Sequence, residues 1–508
     1  MVRQSELAGQ QENESEEEEE DIESQDLESA ESDESEDDAQ SPEGLGLEPP
    51  HQSSVGFTKT EPGESWGQWF CTTMYPLSGK SGGSGAPRLE ALDAPRWIAS
   101  IQIVVYHFYF RDLGLSERLS WGQHWTQFFF MLSGFVLSYA EMARPPRKES
   151  KPSLLQYVRK RLVVVYPTYL FSIVLVLFSK QSISTFEWAA LPFHLLLMQT
   201  WLPICMKDDS GNYNCSAWLW NGEAWFMSVL VIFWIVLRPI TAKVRNLSWS
   251  TSYSLLAACC IWPMVYDWAS GVGVAQGSAR EAVLVITMRA SPAGYFHIFI
   301  AGILSARIFI LSATYVDKST GRVALDGNSA PMLMKYGCCL GYLLWGLLIF
   351  FDPDIPYLIM HQGGLIPIMF LIIIGAAVGV DPLTTWIFKS LPLIILGRIS
   401  YVQYLTQRSV WDLLRLHFPT TSVAWAYPFV LVIWAYLVQR WVESPYTEWQ
   451  RVRMEKDDKG FVEKCIAFLD DMVQTTRLRR TIVTCFLLFL IILVPVIFWF
   501  AQPGEVQN

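Results

Sequence analysis

The sequence predicts an all-α protein: a polytopic helical membrane bundle of about ten core transmembrane helices plus one further helix near the C-terminus. Three observations carry this. Of 508 residues, 51% are hydrophobic and only 17% are charged, a balance too apolar for an ordinary water-soluble domain. Many of those charges crowd into the first forty positions, so the remainder is more apolar still. Finally, apolar runs of at least the roughly 18 residues that mark a bilayer-crossing helix recur along the chain. The net charge of −11 comes from the N-terminal tail and says nothing about the bundle. The first residues are acidic and polar and show no signal peptide, so the first membrane helix is expected to act as the targeting signal.

Taken in order, residues 1–55 read as a disordered acidic tail. Glu16 to Glu20 is an unbroken acidic run, followed by interleaved Ser, Asp and Glu. Such a segment has too little apolar surface to fold. Residues 56–87 form a Gly/Ser/Pro linker with a short aromatic patch, Trp66 to Phe70. Residues 88–445 hold the membrane domain. Its apolar runs predict spans near 96–113, 122–142, 161–180, 224–241, 251–268, 291–313, 332–351, 357–380, 390–410 and 422–442. A cytosolic loop of mixed basic and acidic residues, 446–480, comes next. The final piece, 481–508, contributes an extra span near 481–501 and a short tail. The stretch 187–204 is ambiguous, being short, carrying Pro192 and His194, and ending in a Trp-Leu-Pro break.

Lys and Arg accumulate in cytosolic loops. Basic runs precede Gln156, occupy Arg159 to Arg161, recur at 238–245 and close the late loop at Arg477, Arg479 and Arg480. All of these share the side of the N-terminal tail if 187–204 re-enters rather than crosses. The expectation is therefore a multi-pass protein of an endomembrane or the plasma membrane, with a cytosolic tail. The same topology puts the sequon Asn214-Cys215-Ser216 on the luminal side. Cys205 and Cys215 lie there too, flanking a polar loop, and could form a disulfide. Cys259, Cys260, Cys338, Cys339 and Cys485 fall within apolar spans and read as packing residues. No Cys or His spacing suggests a zinc site, so no metal is expected.

The most informative stretch runs from Arg88 to Tyr139. It places Arg96 near the start of the first span and His107 eleven residues on. In an α-helix that is almost three turns, so both side chains fall on nearly one face, about 16 Å apart along the axis. The pair is expected to face one shared crevice. An ionisable residue within a span is costly and usually faces a cavity or the bundle interior. A neutral imidazole there can take a proton from a hydroxyl. The bland reading is a buried histidine hydrogen-bonded to a neighbouring helix. For Arg96 the bland reading is a snorkelling anchor, and the functional one is a forked contact to phosphate.

LDAPRWIASIQIVVYHF resembles the opening helix of the acyltransferase 3 family, integral-membrane O-acyltransferases, whose signature is a basic residue, ten others and a histidine. FFFMLSGFVLS is similar to that family's second helix, LGRISYVQYL at 396–405 to a late helix, and Glu443-Ser-Pro445 to its closing Glu-x-Pro. The matches follow family order over roughly 88–445. The resemblance implies His107 as the catalytic base and Arg96 and Arg161 as donor-binding residues. Ser228, Arg398 and His124 are further candidates. The chain also departs from the family pattern. Aligned on Pro167, an Arg-x-x-Arg pair keeps Arg161 and has Val164 in the second place. A Trp-Ser-Leu-Ser-Val-Glu motif, aligned on Trp225, keeps Trp225 and Ser228 but ends on Leu230, with Glu223 as a possible substitute upstream. A frequent late histidine is Gln407 here.

What the resemblance implies is transfer of an acyl group, acetyl by preference, from acyl-CoA to a hydroxyl. The acceptor would be a carbohydrate, a lipid or a small metabolite. Acyl-CoA would be a donor substrate and not a permanently bound cofactor. Membrane lipids surround the bundle, and nothing points to nucleic acid. The departures at Val164, Leu230 and Gln407 keep open a transporter or an inert membrane scaffold, and the acidic tail could instead recruit a basic partner.

Overall fold

The computed structural model describes residues 87–143, 153–180, 183–201, 204–207, 213–270, 289–317, 322–355 and 359–447. All of them lie in one unit, Ser78–Asn508. The expected tail, most of the linker, all but the first two residues of the late loop and the extra C-terminal span lie outside the described residues. Helices dominate, as the hydropathy predicts. They are α1 (Asp93–Val104), α2 (Trp125–Met142), α3 (Leu154–Ser179), α4 (Thr185–Leu195), α5 (Trp225–Val244), α6 (Trp249–Ser270), α7 (Pro292–Ala313), α8 (Gly337–Phe351), α9 (Ile366–Val378), α10 (Leu391–His417) and α11 (Thr420–Val438). Four helical stretches are long and apolar enough to cross a bilayer: Leu154–Ser179, Gly222–Val244, Pro292–Ala313 and Thr420–Thr447.

Local chemistry sets several boundaries. Ser153 and Gln156 form a reciprocal capping box at the start of α3, and Ser184 and Glu187 do the same for α4. α4 ends after 11 residues, about 16 Å, which is half a bilayer's hydrocarbon core. A small hairpin follows, pairing β1 (Cys205–Lys207) with β2 (Tyr213–Cys215), and a Cys205–Cys215 disulfide closes it. A second hairpin, β3 (Thr314–Asp317) with β4 (Arg322–Leu325), succeeds α7. Both are small additions to an otherwise helical fold. The predicted span 357–380 is broken. A π-turn at Met360–Gly364 precedes α9, and Gly363 holds φ at 112°, a conformation that favours glycine.

α2 and α7 run side by side in the same direction, since Phe130 stacks on Tyr295 and Tyr139 meets Phe309. Gly134 and Gly302 permit that approach, because a Cβ on either would run into the other helix's backbone. α1 packs against α10, where Ser100 Oγ donates to Ser400 O at 3.3 Å. Gln102 ties α1 to two other helices. Its Oε1 accepts from Trp125 Nε1 of α2 at 2.7 Å and from Trp345 Nε1 of α8 at 3.1 Å. Gln102→Leu would leave two buried indole N–H groups unpaired, at about 1–3 kcal/mol each. A lower melting temperature of the detergent-solubilised protein is expected, and an unchanged one would contradict this linkage.

Candidate functional site

Arg96 of α1, Arg161 of α3 and Arg398 of α10 line one cavity of about 630 Å³. Arg88, Asp93 and Glu443 complete its charged part, giving four guanidiniums against two carboxylates. Asp93 sits between two of those cations, 3.3 Å from Arg88 Nη2 and 3.4 Å from Arg96 Nη1. Glu443, from the predicted Glu-x-Pro, accepts from Thr168 Oγ1 at 3.3 Å. The Arg161 guanidinium lies over the Tyr157 ring at 5.2 Å, which holds it in place through its cation–π attraction. The remaining wall is largely apolar and includes Leu132, Val136, Val164, Leu230 and Trp234. Val164 therefore stands in the cavity where the resemblance has a second arginine. The surplus of forked cations suits a polyanion, and the apolar wall suits an uncharged chain attached to it.

His107 lies elsewhere. The backbone switches from α to π geometry at Val105, and the π segment runs to Asp112. Such segments are often found at functional sites. Two interactions fasten this one: Tyr109 Oη donates to Ala424 O at 2.5 Å, and Arg408 Nη1 is 3.0 Å from Asp112 Oδ2. Arg408 Nε also reaches Asp412 at 3.2 Å. His107 Nδ1 stands 3.5 Å from Glu223 Oε1, and the side chain of Gln407 is within hydrogen-bonding reach of the ring. The His107 side chain is 21% exposed and that of Glu223 only 8%. Nδ1 faces the carboxylate, the arrangement in which an anion orients a histidine base. A 3.5 Å separation is long for a hydrogen bond, and such contacts tighten when substrate binds.

The expected shared crevice is not what forms. The cavity lining includes Arg96 but not His107, Glu223 or Gln407. It reaches instead to Phe129, Phe226 and Tyr404, whose ring centroids are 6.0, 6.1 and 6.0 Å apart. The eleven-residue spacing assumed one α-helical phase throughout, and the π segment breaks that phase before His107.

Other candidates fall in different places. Ser228 is fully buried and accepts from Thr200 Oγ1 at 2.8 Å, which pins the turn after α4 to α5. His124 packs with Trp121 and His361 at ring separations of 5.4 and 6.0 Å. That buried group also holds Tyr295, 2.7 Å from His361 Nε2. Among the described residues no cluster of His, Cys, Asp and Glu could hold a metal.

Glu223 was legible in the sequence by a signal that alignment on Trp225 hides. In the family motif the tryptophan and glutamate are five residues apart, and Trp218 and Glu223 have that spacing. A family model described as an acyltransferase domain, of the acyltransferase 3 type, matches residues 89–440. No curated protein and no solved structure matches the chain.

Proposed function

The chain belongs to the acyltransferase 3 family, and from that premise we propose that it moves an acyl group from acyl-CoA to a hydroxyl, with His107 as general base and Glu223 orienting it. The observation that carries the proposal is the His107–Glu223 pair, a titratable base held by a buried carboxylate beyond a cavity rich in guanidinium groups. The donor's phosphates bind Arg96, Arg161 and Arg398 through forked, charge-assisted hydrogen bonds. Its uncharged arm runs along the apolar wall toward Phe129, Phe226 and Tyr404. The acceptor hydroxyl sits at His107. As its oxygen attacks the thioester carbonyl, His107 Nε2 takes its proton. The carbonyl–sulfur bond then breaks, the proton passes to the departing sulfur, and an ester and CoA are the products. Glu223 keeps Nδ1 protonated and stabilises the imidazolium that forms in between.

The donor enters from the cytosolic side of a multi-pass protein, where the N-terminal tail lies. The acceptor is a carbohydrate, lipid or small hydroxylated metabolite, and acetyl is the first acyl group to test. Membranes carrying the protein, given acetyl-labelled acetyl-CoA, are expected to yield a labelled ester and CoA in equal amounts. Release of CoA without a labelled ester, or a solute flux with no product, would overturn the proposal. Arg96→Ala is expected to raise KM for acyl-CoA about tenfold with kcat nearly unchanged, through loss of a charge-assisted contact worth ~1.5 kcal/mol. An unaltered KM would remove Arg96 from the donor site.

A further inference from the structure

We infer that Asn221 is a positioning residue for the proposed reaction: it holds Glu223 beside His107 by pinning the turn that carries Glu223 to α3 and α10. This rests on the proposed acyl transfer and adds to it the device that sets the orientation of the base.

The Glu223 carboxylate has little of its own to hold it. Oε1 stands 3.5 Å from His107 Nδ1, and Oε2 has no hydrogen-bond partner among the described residues. Its location is therefore set by the backbone beneath it, a single 3₁₀ turn, Gly222–Ala224, that leads into α5. One such turn has weak hydrogen-bond geometry and needs outside support.

Asn221 supplies that support from the cap of the turn, where it is only 2% exposed. Its Oδ1 accepts from Glu223 N at 3.3 Å, and its backbone O accepts from Ala224 N at 3.0 Å. Its Nδ2 donates to two different helices, to Ser172 Oγ of α3 at 2.8 Å and to Leu405 O of α10 at 2.9 Å. Ser172 is itself fixed, donating to Tyr169 O at 2.7 Å. A carboxamide supplies the acceptor and both donors, whereas a carboxylate donates nothing and a methyl group offers neither.

The anchor on α10 bears directly on the base. Leu405 lies two residues before Gln407, whose side chain reaches the His107 ring. Glu223 lies two residues after Asn221. One buried amide thus sets the spacing between the two groups that meet the imidazole, across 184 positions of chain.

The test is a cycle of four purified full chains in lipid nanodiscs: unmodified, Asn221→Ala, Glu223→Gln and the pair. Each is treated with diethyl pyrocarbonate, and carbethoxylation of His107 is followed by mass spectrometry. A carboxylate on one ring nitrogen raises the basicity of an imidazole, so Asn221→Ala and Glu223→Gln are each expected to slow His107 modification about threefold. The paired variant should react no more slowly than Glu223→Gln alone, because both changes break one contact. The exposed His417 should react equally in all four. A role in packing alone predicts a change of the same size with and without Glu223. Such an equal change, or unaltered His107 reactivity in Asn221→Ala, overturns the inference. Should Asn221→Ala fail to fold, Ser172→Ala removes one anchor and is measured in the same two backgrounds. It must slow His107 in the original chain and not beside Glu223→Gln. In the transfer assay, Asn221→Ala is expected to lower kcat about fivefold with KM for acyl-CoA constant, and less than about twofold beside Glu223→Gln. Absence of labelled ester from the unmodified protein defeats the acyl-transfer reading, while His107 reactivity still decides the role of Asn221.

Discussion

His107→Ala is expected to lower acyl transfer by about 10²- to 10⁴-fold, the range that a positioned general base supplies. KM for acyl-CoA should stay close to its original value, because the cavity proposed to hold the donor does not include His107. The fold should survive as well. The imidazole is partly exposed, and the π segment that carries it is fastened by Tyr109 and Asp112 instead. The measurement is initial rate against acyl-CoA concentration, alongside the melting temperature and membrane yield of the variant. Undiminished product from a folded His107→Ala protein would mean that the hydroxyl is deprotonated by some other group.

Glu223→Gln is expected to have the second-largest effect, and it separates positioning from mere packing. The carboxylate stands 3.5 Å from Nδ1 and is almost fully buried, so the amide fills the same volume without the charge. A hydrogen bond to a charged group contributes about 1.5–3 kcal/mol. At 1.36 kcal/mol per decade, its loss lowers kcat roughly 10- to 150-fold. KM for the donor should not move. Glu223→Asp keeps the charge on a shorter arm and should recover part of the rate. A purely structural role predicts instead that Gln, the closer isostere, performs better than Asp. Equal kcat in the original protein and Glu223→Gln would leave His107 without its proposed partner.

Much of the site was visible along the chain because its parts are local. Arg96 and His107 are separated by one run of helix, and a charge at the head of an apolar span and an imidazole within it are unusual wherever they occur. Arg161 and Arg398 stood out as cations in or at apolar runs, and all three arginines do converge on one cavity. The disulfide was legible for the same reason, with its cysteines flanking one short polar loop. Glu223 was the near miss. Its spacing from Trp218 is a local signal, but the competing Trp225 drew the motif seven residues downstream. His124, by contrast, could be placed against His361 only by packing, since they are 237 positions apart in the chain.

The sequence by itself determined that this is a helical membrane protein of the acyltransferase 3 family, and where most of its helices run. Span length and hydropathy are properties of contiguous residues, and the bilayer reads them one helix at a time. Only the tertiary structure decided how those helices are rotated against one another. Rotation is set by which side chains interlock, such as Gly134 against α7, and by cross-links such as Arg408 to Asp112 that hold a π segment open. That segment carries His107 beside Glu223, outside the lining of the arginine cavity. No periodicity in the first helix could encode this arrangement, because the residues that impose it lie on four other elements.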